Sequence, residues 1–318
     1  MAHGPIGVDL TSRPISIVQR EAGGARPARV ARTFGAGGLG SSVAGAIARS
    51  GMHGREVVLV VGNDSCHVAQ LELPPRASGA PIARLAEQEV ARLHRLEPGS
   101  FEMTTWDSPG PAASTSLLAV AMPHERSAMH LDDFESVGLD VSAIEPACAV
   151  MSELGPGRGA SCVVTLAWRQ ASLVVTDGER PVIERSWAEG GCEALLARLK
   201  GELGLDGPAA EHVLRECLRG GASTIPEAVR GRAAVTIHDH FSKAADEIAV
   251  SLDYADRKMA PTRVGGVVLA GLGALHAEIE AIVTGAGIEP VTRWSTPEIE
   301  GSEAGVDALA WAAARRWG

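Results

Sequence analysis

Two stretches of this 318-residue chain follow one plan, and the repetition limits what it can fold into. Near the N-terminus Ile6-Gly7-Val8-Asp9-Leu10 is followed by a short polar turn and then by Ile15-Ser16-Ile17-Val18. Halfway along, Ser161-Cys162-Val163-Val164-Thr165-Leu166 leads through another turn to Ala171-Ser172-Leu173-Val174-Val175. Each reads as a β-hairpin opening one half of the molecule. A third element comes late: Val267-Val268-Leu269-Ala270-Gly271-Leu272-Gly273, a strand running into a glycine turn and a helix. Two hairpin openings far apart in sequence predict two lobes, each built on its own sheet.

The composition supplies cores for both. Hydrophobic residues make up 45% of the chain but aromatics only 3%, so the interior must be packed from Ala, Val, Leu and Ile. A formal charge of −10 argues against a general nucleic-acid binder, which needs a basic footprint. One segment departs from that balance. From Arg13 to Arg55 there are seven arginines and a single acid, Glu21. This is either a solvated face or a weak contact for anionic lipid or an acidic partner. The five cysteines are scattered, odd in number and without a C-x-x-C pair, which fits a reducing cytoplasm without disulfides or zinc. No signal peptide is expected at the N-terminus, and no stretch is long enough to span a bilayer. Work at a membrane therefore calls for another molecule to hold the chain there.

Between the landmarks, apolar spacing predicts strands near 6–10, 15–20, 57–61, 67–73 and 117–122, and helices over 41–50, 82–96 and up to Gly138. In the second half it predicts a meander at 161–166, 171–176 and 181–186, turning at Asp177-Gly178. Helices follow over 193–203, 208–218, 233–259, 274–286 and 304–317, with a Gly-rich loop at 219–232. Phe241, Ala245, Ile248, Leu252, Ala255 and Met259 lay one stripe along the longest helix. In the last, Val306, Leu309, Ala310, Ala313 and Trp317 favour packing over a membrane anchor built on Trp311, Arg315, Arg316 and Trp317. His238-Asp239-His240 has the look of a metal site, but two residues apart on a helix the imidazoles diverge.

This order of elements resembles the actin-like (ASKHA) ATPases, and within them the PilM-type type IV pilus assembly proteins, over nearly the whole chain. The resemblance is segmental. It rests on Val68-Ala69-Gln70-Leu71-Glu72-Leu73-Pro74, on Val137-Gly138-Leu139 with Val141 to Pro146, on Asp246 to Tyr254, and on Ala304 to Arg316. It implies an α/β, two-lobed fold of duplicated ribonuclease-H-like domains with a small α/β insert in the first lobe. The expected division is a first-lobe core at 1–75 with 144–160 and 303–318, and an insert at 76–143. The second-lobe core is expected at 161–200 with 264–302, and a helical subdomain at 201–263.

In the ATPases of this superfamily the two hairpin turns hold phosphates and the late glycine turn holds adenosine. Glycine lets backbone N–H groups approach phosphate, and a carboxylate holds the hydrated metal. By resemblance Asp9, Thr11, Ser12, Gly190, Gly191, Glu211, Gly271 and Gly273 occupy the nucleotide-binding positions. The departures are severe. Thr11 stands at the glycine, Pro14 removes an N–H donor, and Ser16 stands at the lysine. In the second turn Thr165 and Ala167 replace Asp and Gly, followed by the bulky Trp168, and Leu272 interrupts the adenosine turn. Each survivor also has a plain structural reading: a turn carboxylate, helix-start glycines, a solvated glutamate.

The resemblance with these losses implies a pseudo-ATPase scaffold without catalytic residues or metal, and with weak Mg-ATP binding at most. It implies a cytoplasmic place at the inner-membrane face, in a type IV pilus or related secretion machine. The implied partner is the N-terminal cytoplasmic peptide of a bitopic membrane protein, docked between first lobe and insert at Val68, Gln70, Leu71, Leu73, Leu118 and Val120. Self-association stays open, and nucleic acid is not expected. Two alternatives remain: an active ATPase or kinase of the same superfamily, against which Thr165 speaks, and an actin-like division or filament protein, which would want a flexible linker and an amphipathic tail after residue 300.

Overall fold

Short runs of Val, Ile and Leu bounded by turn residues become the central strands of two sheets, and longer amphipathic stretches become the helices that cover them. The computed structural model describes residues 3–21, 28–35, 38–156, 159–220, 224–299 and 304–317. The first half contains β1 (His3–Asp9), β2 (Ile15–Glu21), β3 (Arg29–Thr33), α1 (Leu39–Ser50), β4 (Glu56–Val61), β5 (His67–Leu73), α2 (Ile82–His94), β6 (Phe101–Asp107), β7 (Thr115–Pro123), α3 (His124–Glu135), β8 (Asp140–Pro146) and α4 (Ala147–Met151). The second contains β9 (Ala160–Leu166), β10 (Ala171–Asp177), β11 (Arg180–Trp187), α5 (Cys192–Leu203), α6 (Gly207–Arg219), α7 (Glu227–Met259), β12 (Val267–Ala270), α8 (Ile279–Gly285), β13 (Val291–Arg293) and α9 (Ala308–Arg316).

The duplication in sequence is a duplication in topology. The two five-stranded sheets run β3-β2-β1-β4-β8 and β11-β10-β9-β12-β13. In each, the first three strands are an antiparallel meander and the last two are added in parallel. A third sheet, β5-β7-β6, forms the insert. One apolar cluster covers the outer face of the first sheet with α1 and Phe134 of α3; another covers the outer face of the second with α5, α6, α7 and α8. Between the two sheets lie α4 and α9. They share a cluster with Val18, Val58 and Val60 of the first sheet and Val163, Val174 and Ala270 of the second.

Small residues set how closely these layers approach. A Cβ on Gly7 would lie 1.9 Å from the carbonyl oxygen of Ala310 and 2.9 Å from the backbone nitrogen of Ala314. Only glycine lets β1 lie directly against α9, whose own contact face is mostly alanine. Trp311 fixes the helix further: its Nε1 donates to Glu298 at 3.0 Å, and Glu298 accepts Arg20 at 2.6 and 2.9 Å. Trp317 departs from the expected packed face. It is 48% exposed, with its indole N–H on Glu145 at 3.0 Å.

Several boundaries move. β5 lies in the 1–75 segment but pairs with β7 in the insert's sheet, whereas β8, whose first residues fall within 76–143, completes the first-lobe sheet. Phe134, also within 76–143, is buried in the first-lobe core, so α3 joins the insert to that lobe. The longest helix starts at Glu227, six residues before the expected 233; its N-cap is Pro226, inside the presumed loop, whose carbonyl accepts the Val229 and Arg230 N–H groups at 3.0 Å. The helix expected at 274–286 divides into a 3-10 turn, Leu272–Leu275, and the short α8. The 304–317 helix likewise begins as a 3-10 turn at Ala304–Asp307.

Gly7→Ala should destabilise the whole protein, because the clash is with helix backbone and no rotamer relieves it. A loss of about 2 kcal/mol or more is expected in urea unfolding. An unchanged midpoint would mean that α9 does not seat on β1.

Candidate functional site

The two hairpin turns and the late glycine turn meet where the lobes face each other. Asp9 ends β1, 2% exposed, and its Oδ1 accepts the backbone N–H of Thr11 at 2.8 Å and the Thr11 hydroxyl at 2.7 Å. Ser12 Oγ donates to the Asp9 carbonyl at 3.1 Å and accepts the Ser16 N–H at 3.2 Å. The turn thus ties its polar groups to itself. Ser16 Oγ donates at 2.5 Å to Asp307, which is fully buried and held by the Arg32 guanidinium through Nε at 3.0 Å and Nη2 at 2.5 Å. Burial pushes the Asp9 carboxyl up to about 6, against the opposing pull of its Thr11 and Ser12 hydrogen bonds, and the Asp307 charge adds to the rise.

Across the cleft, Thr165 lies at the end of β9, and its hydroxyl faces Met151 Sδ at 3.7 Å. Thr165, at the position where a second carboxylate is expected, is buried against this sulfur. Trp168 is buried at the β9–β10 turn, and the Arg13 guanidinium lies 4.9 Å from its ring centre. Arg13 also reaches Glu211 of α6 at 3.8 Å. Glu211 is not the solvated carboxylate of the plain reading: it also accepts Arg215 at 2.9 Å, and Arg215 in turn lies 4.7 Å from the Phe34 ring. Arg169 pairs with Asp64, again from lobe to lobe. Asn63 donates to Glu184 at 3.0 Å and to Ser186 at 2.7 Å on β11. Sequence reading missed Arg13, Arg169, Phe34 and Asp307; the one available signal was an arginine inside a turn expected to hold phosphate.

The surviving glycines have packing reasons. Gly271 is left-handed at φ 85°, and a Cβ there would lie 2.7 Å from the Leu166 carbonyl oxygen. A Cβ on Gly273 would meet Leu166 Cβ at 2.6 Å. Gly190 lies against the Trp187 indole, and Gly191 against the backbone of Arg169 and Gln170. Leu272 is buried beside them. The space enclosed by Pro14, Arg32, Arg215, Leu218, Leu272 and Leu275 is about 10 Å³, room for roughly one water.

The six residues expected to meet a peptide do not form one surface. β7 is the middle strand of its sheet, paired on both sides, so Leu118 and Val120 offer no free strand edge, and both are buried. Leu71 and Leu73 pack beneath α2 in the insert's own core. Val68 and Gln70 lie on the opposite face of β5 by strand alternation. There Gln70 donates to the Val182 carbonyl at 2.9 Å and accepts Lys258 at 2.6 Å. β5 itself is an edge strand. The Arg-rich segment is largely engaged internally. Arg13, Arg20 and Arg32 pair with Glu211, Glu298 and Asp307, and Arg29 donates to the Gly51 carbonyl. Arg26 lies outside the described residues. Among the described residues no group of His, Cys, Asp and Glu is arranged to hold a metal, and Asp239 of the His238-Asp239-His240 run pairs with Arg198 and Lys243. No helix among them is long and apolar enough to cross a membrane.

No protein-family model matches the chain, and no curated protein matches it. Solved structures do. EutJ, the ethanolamine utilization protein of Carboxydothermus hydrogenoformans, superposes with a TM-score of 0.57 at 12% identity, over 100% of this chain and 90% of its own. The two-lobed architecture is that of the actin-like ATPase fold. A chain of the PilM-PilN type IV pilus biogenesis complex superposes with a TM-score of 0.73 over 98% of both chains. At 17% identity the likeness is one of fold.

Asp9→Asn separates a turn-forming role from a metal-holding one. The folded-state value of about 6 lies above the ordinary 3.8, so the folded protein holds the extra proton between those values. Stability from this group is present below the lower value, falls as pH rises through the window, and stays lower above it. The Asn variant keeps the acceptor without the charge. It should therefore gain on the wild type between pH 4 and 6 and be more stable at pH 7.5, by on the order of 1–3 kcal/mol. A variant less stable than the wild type at pH 7.5, with Mg²⁺ stabilising only the wild type, would show a metal role instead.

Proposed function

We propose that this chain is a non-catalytic, actin-like scaffold of a pilus or secretion assembly machine. It works at the cytoplasmic face of the inner membrane and binds the N-terminal cytoplasmic segment of a single-pass membrane protein. The reading is carried by one observation: on a fold shared with a chain of a pilus biogenesis complex, the inter-lobe cleft is occupied by the protein's own side chains. Arg13, Trp168, Glu211, Arg215 and Phe34 bridge the lobes, and the space beside Leu272 is about 10 Å³, room for about one water. Phosphoryl transfer needs a held metal and a positioned nucleophile. Thr165 against Met151 supplies neither, and Asp9 is committed to its own turn. Asp9, Thr11, Ser12, Gly190, Gly191, Glu211, Gly271 and Gly273 act on this reading as structural residues rather than as nucleotide ligands.

The partner segment is placed along the free edge of β5, where an extended peptide adds a strand to the insert's sheet. Its anchor on β5 is the exposed Glu72, in place of the buried Leu118 and Val120 and of Val68, which packs against the inter-sheet cluster.

Two measurements test these halves separately. Mg-ATP at millimolar concentration should move the melting temperature by less than about 1 °C, since a ligand stabilises only what it binds; a clear upward shift would reopen the cleft as a live site. A photo-crosslinker at Glu72 should capture one membrane protein in native membranes, whereas the same group at the exposed Val235 of α7 should not. Capture from Val235 alone would move the contact to the second lobe.

A further inference from the structure

The insert's helix ends in a strained turn that rests on a pair of stacked rings. α2 finishes at His94, and the chain leaves the helix through Arg95, whose φ of 56° is left-handed. Among the described residues Arg95 is the only one besides glycine with a positive φ. Glycine is the usual choice at such a helix end, because a Cβ in this region crowds the backbone. The N–H groups of Arg95 and Leu96 both fall on the Ala91 carbonyl, the second at 2.9 Å. Beneath this turn the His94 imidazole stacks on His67, the first residue of β5, with ring centres 4.7 Å apart and planes inclined by 28°. His94 Nε2 is buried and has no hydrogen-bond partner. The charged groups acting on His67 are His94 and Arg126 of α3, both basic, and no carboxylate offsets them. From β7 it faces the uncharged Ala121. His130, one turn along α3 from Arg126, differs: Asp64 and Asp133 oppose the arginine there. Burial first, then His94 and Arg126, hold His67 below its ordinary 6.5.

We propose that the His67–His94 stack is a proton-sensitive latch, which holds the strained end of α2 on β5 while the rings are neutral and releases that turn when both are charged. Neutral rings attract face to face. Two imidazolium ions at this separation repel, Arg126 adds to the repulsion, and a proton on His94 Nε2 finds no acceptor. The partial negative charge at the end of α2, about half an elementary charge, offsets only part of this. Release stops at the last turn, because Ile82, Ala86 and Val90 stay packed in the insert's core. The latch is fully in place above pH 6.5. As pH falls below that value, the open turn takes up protons more readily than the closed one, and opening is progressively favoured. α2 covers the strand on which the partner is placed above. On that reading the latch also governs how firmly β5 presents its edge; the latch itself does not depend on it.

The test is amide hydrogen exchange in the full chain, read as protection factors for Arg95 and Leu96 at pH 7.5 and 5.0. The buried Leu214 amide of α6 reports on the protein as a whole, whose buried His240 and His276 also lie below their ordinary range. In the wild type, protection at Arg95 and Leu96 should fall at least about threefold more than at Leu214 over this range. His94→Phe keeps a flat ring in the stack and removes its proton, and there the excess should vanish. His67→Phe should behave in the same way. Both variants should match the wild type at Leu214 at pH 7.5, which shows that they fold. No excess loss in the wild type, an excess retained in either variant, or an equal fall at Leu214 would overturn the proposal. So would a turn already unprotected in the wild type at pH 7.5, since the neutral rings would then hold nothing.

Discussion

Everything in this molecule is arranged around the layer of small residues between the two sheets. α4 and α9 are sandwiched there, and their apolar cluster takes side chains from the inner faces of both lobes. Cys66, Val120, Leu154, Trp294 and Ile299 complete the cover around the two helices. With few aromatics available, the layer is thin. Ala308, Ala310, Ala312 and Ala313 set its thickness, and Gly7 lets a strand lie against helix backbone. Close packing of small groups gains dispersion contacts at the cost of tolerance, since an added methyl finds no void to occupy. Trp294 and Trp311 close one end of the layer, their rings 5.2 Å apart.

The cleft above that layer follows the opposite logic. Here the attraction is supplied by the protein's own side chains. Arg13 reaches from one lobe to an aromatic face and a carboxylate on the other, and Arg169 returns the contact to Asp64. Exposed ion pairs each contribute little. The Arg13–Trp168 stack is different, because its ring is almost wholly removed from water. Asn63 with Glu184 and Ser186, and Gln70 with Val182, carry the same bridging down to the insert. A change in how the insert sits is thereby felt at an edge strand of the second lobe.

Long-range order was more legible in the sequence than local detail. The two hairpins, the parallel strand at 267–270 and the 33-residue α7 announce themselves by unbroken apolar patterns, and they define the duplicated topology. β3 and β6 escaped notice. Arg29-Val30-Ala31-Arg32-Thr33 is half-buried throughout and has no alternation, and Phe101–Asp107 is a polar edge strand whose apolar residues are too few to mark it. The domain limits erred at β5 and β8 because strand partners are chosen by tertiary pairing, which leaves no local trace. At the cleft, the residues that replace the expected chemistry could be named from sequence, whereas what they touch could not. Glu211 read as solvent-facing because its partners Arg13 and Arg215 sit on different elements, and Leu118 and Val120 read as accessible because nothing in a strand's own sequence says it is central.

The position of α9 has a bearing on biosynthesis. β1 and β2 are among the first segments to leave the ribosome, and the helix they rest on is encoded some three hundred residues later. Until it arrives, the face of β1 and β2 that rests on α9 lacks that cover, and sheets waiting for distant partners are prone to aggregate. A chain wired in this way finishes its N-terminal lobe last, however early that lobe was translated. During synthesis, its dependence on chaperones should therefore be concentrated at the beginning of the polypeptide.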